Sequence, residues 1–182
     1  MADNEKNTIY TIGHSTHSID EFIGMLQAFK IKLLVDVRHY PGSRKFPHFN
    51  KENLSEALKN YNIKYIHLLG LGGRRNVLKN SKNTLWHKDA FRGYADYMET
   101  KDFEIAVNEL QQLAVQQTIA FMCSEAVWWR CHRSMIADYL KAKGWKVLHI
   151  MNKQKAEEHP YTSPARIIGN KVFYYENDLF KQ

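Results

Sequence analysis

The order of apolar runs predicts a three-layer α/β domain, a mostly parallel sheet of about five strands flanked by helices. Two observations carry that prediction. Short β-branched and aromatic runs alternate with stretches whose apolar residues recur at helical spacing, and each crossover is long enough to hold the helix that parallel strands require. No linker, internal repeat or break in composition interrupts the 182 residues. A single domain over 1–182 is therefore expected, with its core at about 8–150 and an irregular tail at 151–182.

Thr8-Ile9-Tyr10-Thr11-Ile12 reads as a buried strand that Gly13-His14-Ser15 turns into a loop. Ser18 then caps a helix, with Glu21 three residues on and Ile19, Phe22, Ile23, Leu26 and Phe29 along one face. The pattern repeats. Residues 32–37 make a strand, 38–43 stop it, and Asn50 caps a helix that carries Leu54, Ala57, Leu58 and Tyr61 in register. A third strand falls at 63–68. Gly70, Gly72 and Gly73 open a basic segment, 74–88, whose polar composition suggests a surface loop or lid. Helical spacing returns at about 89–99 and 102–116, and residues 118–122 form a fourth strand ending at Cys123. A helix runs from about 131 to 143 with Gly144 at C′, and 146–150 is a fifth strand. In the tail, only a short strand near 172–175 is expected.

No stretch approaches the ~18 uncharged apolar residues of a membrane span, and the first ten residues lack the basic-then-apolar order of a signal peptide. A soluble, cytoplasmic protein with no membrane partner is expected. Two cysteines, Cys123 and Cys131, are too few for a disulfide framework and in a reducing compartment are thiols. The formal charge is +7, and residues 38–88 carry eleven Lys or Arg against Glu52 and Glu56, a local charge of +9. Such a block favours a small anionic or phosphate-containing substrate, or nucleic acid, although a basic surface also serves solubility alone.

In parallel α/β sheets ligands bind at the carboxyl edge, and here that edge receives His14-Ser15, Asp36-Val37-Arg38, the stretch from Gly70 to Arg75, and Cys123-Ser124-Glu125, which runs on through Arg133 into a helix start. Within the last stretch a thiol beside helix-terminal N–H groups and arginines would be held as a thiolate, the form needed for attack or metal ligation. Cys123, at the strand end, is the candidate nucleophile by position, and its alternative is packing. Glu125 and His132 are candidate acid–base groups, while Arg38, Arg74, Arg130 and Arg133 are candidate anion binders. His14 and Ser15 offer an anion-holding turn, and Asp36 either serves a ligand or neutralises Arg38. Asp36 and Glu125 would together make a two-carboxylate arrangement if they lie about 5 to 10 Å apart. Tyr94, Trp86, Trp128 and Trp129 supply aromatic surface for stacking on a ligand or for the core. On a regular helix Cys131 and His132 would diverge by about 100°, so they should not share a metal, and no metal or cofactor is expected. The glycine-rich stretch lacks the Walker lysine and the dinucleotide order.

Five motifs in order make the sequence resemble the DUF488 family. They are Gly13-His14-Ser15-Thr16; Asp36-Val37-Arg38 with Pro41, Ser43, Pro47 and Phe49; Leu71-Gly72-Gly73; Phe91-Arg92, Tyr94 and Tyr97-Met98; and Cys123, Glu125 and Cys131-His132-Arg133. The resemblance covers about 8–150 and implies a compact intracellular bacterial or archaeal domain, with no activity attached. A weaker similarity is to rhodanese-like domains, in which a strand ending Asp-Val-Arg precedes a strand whose terminal Cys opens an anion-binding loop. Here that loop is longer and carries two tryptophans, and Cys123 to Arg130 misses the phosphatase spacing by one residue.

Three readings follow. The first is a thiol-dependent or anion-handling enzyme with its site at the carboxyl edge. The others are a nucleic-acid or nucleotide binding module built on 38–88, and a carboxylate-based hydrolase or transferase using Asp36 and Glu125. The sequence does not choose an enzyme over a binding module, and it is silent on oligomeric state.

Overall fold

The computed structural model describes residues 7–176. Its central sheet has six strands in the order β3-β2-β4-β1-β5-β6: β1 Thr8–Gly13, β2 Leu33–Asp36, β3 Lys64–His67, β4 Ile119–Cys123, β5 Lys146–Ile150 and β6 Ala156–Glu158. The first five are parallel, and β6 runs antiparallel to β5. Every residue of β2 and β4 is buried, as expected of strands covered on both faces.

Side chains alternate between two cores. Leu33, Val35, Ile119, Phe121 and Val147 face the helices α3 Asp89–Met98, α4 Lys101–Gln116 and α5 Arg133–Ala142. Leu34, Ala120, Met122 and Ile150 face α1 Ile19–Ala28 and α2 Lys51–Lys59. This is the expected three-layer arrangement. The Ser18 cap is present, its hydroxyl accepting from the Glu21 N–H. Asn50 flanks α2 but does not cap it with its side chain; instead its Oδ1 accepts from the Ser43 N–H and ties down the loop after β2. No helix among the described residues is long and apolar enough to cross a membrane.

The tail is more ordered than its composition suggests. β6 extends the main sheet, and β7 Arg166–Ile168 pairs with β8 Lys171–Phe173 in a hairpin. Its polar residues close a buried chain of hydrogen bonds: Thr11 Oγ1 to His149 Nδ1 at 2.7 Å, His149 Nε2 to His159 Nδ1 at 2.9 Å, and His159 Nε2 to Asp138 Oδ1 at 2.9 Å. Asp138 also accepts from Tyr174 and Thr162. His159 Nε2 donates to the Asp138 carboxylate, so the chain ends on a buried acceptor.

Segment 74–88 has no regular secondary structure, but it is pinned. Asp96 on α3 accepts from the Leu78 N–H, the Ser81 hydroxyl and the Asn83 amide, and Asn83 is itself buried. Leu85 N–H donates to the Tyr174 carbonyl. A surface loop is thus present, held at several points in place of the free lid that its composition suggested.

Candidate functional site

The strand order reverses between β2 and β1, with β4 inserted between them, so the carboxyl ends of three strands lie side by side. Gly13 is in register with Cys123, and Asp36 with Met122. Above them opens a cavity of about 730 Å³ whose lining includes His14, Ser15, Arg38, Arg74, Cys123, Glu125, Arg130, Cys131 and His132. His39, Tyr40, Lys45 and Phe46, from the loop after β2, also contribute. Among the described residues, Glu125 is the single carboxylate in a lining that carries Arg38, Lys45, Arg74 and Arg130. The charged side chains of the lining are therefore mostly positive.

Gly13 explains how the loop after β4 reaches over β1. A Cβ there would stand 1.8 Å from the Glu125 carbonyl oxygen, so only glycine lets the two backbones cross. The His14 and Ser15 N–H groups donate to the carbonyls of Cys123 and Ser124, locking the two loops together.

Asp36 has a structural task. Its carboxylate accepts from the Arg38 N–H and from Nε at 2.9 Å, Nη2 at 2.6 Å and the Tyr65 hydroxyl at 2.6 Å, and it is fully buried outside the cavity lining. Its lone pairs are occupied by these donors, and of the two carboxylates weighed for two-carboxylate chemistry only Glu125 lines the cavity. It neutralises and aims Arg38, whose Nη2 also donates to the Phe49 carbonyl while Nη1 lies 3.4 Å from His14 Nε2. His14 Nδ1 donates to the Ser15 carbonyl, leaving Nε2 as the acceptor toward Arg38. Burial, helped by Arg38, pulls the His14 pKa down to about 4 against the raising effect of Ser15. The neutral ring stacks on Phe49 at 4.3 Å.

The two thiols are free and in contact, Sγ to Sγ 2.8 Å. Their surroundings differ. Cys123 Sγ faces the Glu125 carbonyl oxygen at 3.8 Å, an acceptor that keeps a proton on sulfur. Cys131 Sγ faces the Arg133 N–H at 3.5 Å and His132 Nδ1 at 3.4 Å. Burial raises Cys123 well above the ordinary thiol range, and its hydrogen bond to Cys131 raises it further. Burial also works against Cys131, but the Cys123 hydrogen bond, the Arg133 charge and the Arg133 N–H together bring it below the ordinary value. Of the pair, Cys131 is the one whose surroundings favour the thiolate, where strand-end position alone favours Cys123.

The expected divergence of Cys131 and His132 does not occur. Cys131 is extended, with φ −135° and ψ 151°, closing a 3-10 turn at Trp128–Arg130, and the helical geometry begins only after it. The imidazole of His132 consequently folds back on the sulfur. Its Nε2 donates to the Val37 carbonyl at 3.0 Å, which leaves Nδ1 to face Cys131. Burial holds His132 below its ordinary pKa against the raising influence of Cys123 and the Val37 carbonyl, so it is a neutral proton acceptor. Gly73 packs flat against this ring, where a Cβ would lie 2.9 Å from Nδ1.

Several sequence candidates lie elsewhere. Arg133 is buried outside the lining, and its Nη2 donates to the Glu125 and Ala126 carbonyls, so it shapes the loop. Tyr94 is fully buried; it donates to the Leu71 carbonyl and supports His132 from 4.9 Å, acting on the site through that ring. Trp129 is half exposed and outside the lining. Trp86 is stacked on Phe91, and Trp128 on His149 at 4.7 Å and 5°, so at least one face of each ring is already occupied. No group of three or more His, Cys, Asp or Glu suited to a metal ion occurs among the described residues.

The domain of unknown function DUF488 matches residues 18–140, two thirds of the chain. The chain belongs to the DUF488 family. The matched stretch holds four of the five recognised motifs, and the Gly13-His14-Ser15 turn precedes it. No curated protein and no solved structure matches this DUF488 chain, and nothing supports the weaker rhodanese-like similarity. Tyr65, Lys45 and the Thr11-His149-His159-Asp138 chain are the site and support residues that sequence reasoning missed. The histidine at 149, inside the apolar run 147–151, was the available signal, since an imidazole among apolar neighbours needs a buried partner.

Proposed function

We propose that this DUF488 protein is a thiol-dependent enzyme acting on a small anionic substrate in the cavity at the carboxyl edge of the sheet. The observation that carries the reading is the asymmetry of the thiol pair. Cys131 faces the Arg133 N–H and the proton-accepting His132 Nδ1, and Cys123 faces a carbonyl, in a cavity whose charged lining is mostly cationic. Cys131 is the nucleophile, a role that the sequence alone would give to Cys123. Its proton has a receiver 3.4 Å away in His132 Nδ1, from which it can pass to a leaving group. Arg38 is aimed by Asp36, and with Lys45, Arg74 and Arg130 it binds the anion; Glu125, exposed at the rim, contacts substrate from the open side.

Alkylation by iodoacetate, followed by peptide mass over a pH series, tests the reading. Cys131 should react at and below pH 7, with Cys123 reacting only in alkali or after unfolding. Inorganic phosphate or sulfate should slow the reaction by occupying the cations. Two thiols that stay inert until unfolding would sink the proposal.

A further inference from the structure

We infer that Cys123 is a second catalytic thiol, and that the pair reduces a small disulfide bearing negative charge, passing through an internal Cys123–Cys131 disulfide. The inference rests on the thiolate reading above and extends it to the class of electrophile. Three observations carry it. The sulfurs stand 2.8 Å apart, so closing a bond of about 2.05 Å needs an approach of less than about 1 Å. Both sulfurs line the same cavity, so an adduct on one is held beside the other. The two also differ in kind: Cys131 faces the Arg133 N–H, a donor that favours a thiolate, and His132 Nδ1, which can take its proton, while Cys123 keeps its proton against the Glu125 carbonyl until the first step is over.

The chemistry balances within the site. The Cys131 thiolate attacks one sulfur of a disulfide RS–SR, forming a Cys131–SR bond and breaking S–S, and RS⁻ departs. Cys123 then attacks Cys131 Sγ, forming the internal disulfide. The second RS leaves as a thiol, taking the Cys123 proton. The substrate has gained two electrons and the protein has lost two. A small external dithiol, by the same exchange in reverse, restores both cysteines. Arg38, Lys45, Arg74 and Arg130 select a disulfide whose R groups carry carboxylates.

The experiment uses the intact reduced chain with two probes, glutathione disulfide, which is anionic, and cystamine, which is cationic, read by whole-protein and peptide mass at pH 7. Wild type should lose two hydrogens with no lasting adduct, and the anionic probe should react at least about tenfold faster at low salt. Cys123→Ser should accumulate a glutathionyl adduct on Cys131. A lasting adduct in wild type would overturn the role of Cys123, and equal rates for the two probes would overturn the anionic selectivity. No reaction with either probe, in a protein whose Cys131 is still alkylated by iodoacetate, would overturn the disulfide substrate and leave the nucleophile standing. Failure of alkylation as well would remove both. The wild-type masses decide the matter even if the serine variant does not fold.

Discussion

Asp36 and Arg38 show how a charged pair can serve a site from outside it. The carboxylate is fully buried and saturated by Arg38 and Tyr65, so its removal would strand a guanidinium that is only 6% exposed. Asp36→Ala should cost about 3–5 kcal/mol in urea unfolding and should weaken anion protection of Cys131. A variant of wild-type stability would show that Arg38 finds other acceptors. Also at the residue scale, Gly13 and Gly73 are required by space: the Glu125 carbonyl and the His132 ring occupy the positions of their missing Cβ atoms. The sequence marks both as glycines at turns, but their partners are 112 and 59 residues away, beyond any local reading.

At the scale of elements, the loop between β4 and α5 depends on the tail. Trp128, in the 3-10 turn that precedes Cys131, lies flat on His149, and His149 is held by His159, which is held in turn by Asp138 on α5. The tail therefore acts as a brace for the thiol loop. His159→Ala would leave Asp138 and His149 each short of a buried partner. Roughly 2 kcal/mol or more of stability should be lost, along with the difference in reactivity between the two thiols. Circular dichroism melts with parallel alkylation would check this, and an unaltered melt would remove the brace. An unaltered contrast between the thiols would instead confine the tail to a packing role. The alternation of strand and helix was legible because each element shows its own period, whereas β6, β7 and β8 are three residues long and show none.

For the whole molecule the buried histidines set the response to acid. His14 is brought down to about 4 and His149 to about 2, in both cases chiefly by burial, while in the unfolded chain each titrates near 6.5. Between those values the unfolded state binds more protons than the folded one, so stability is complete above about pH 7 and falls as pH drops below about 6.5. From pH 7 to pH 5 each histidine should remove roughly 2 kcal/mol. Urea midpoints measured across that range would show the decline, and His14→Gln should flatten it. A flat profile in the wild type would mean that these rings are protonated in the fold.

Periodicity, residue type and order along the chain determined the α/β class, the position of most strands and helices, and the edge at which chemistry gathers, because these follow from local spacing and from the rule that parallel strands need crossovers. The family was legible too, since its motifs lie in order along the chain. Only the tertiary structure decided that Cys131 faces the Arg133 N–H and Cys123 the Glu125 carbonyl, that Asp36 serves Arg38, and that Tyr94 and Arg133 stand behind the cavity. Each of those outcomes turns on which donor or acceptor a long-range contact places within about 4 Å of a buried atom. An interaction of that range is strong where water is excluded, and no spacing along the chain encodes it.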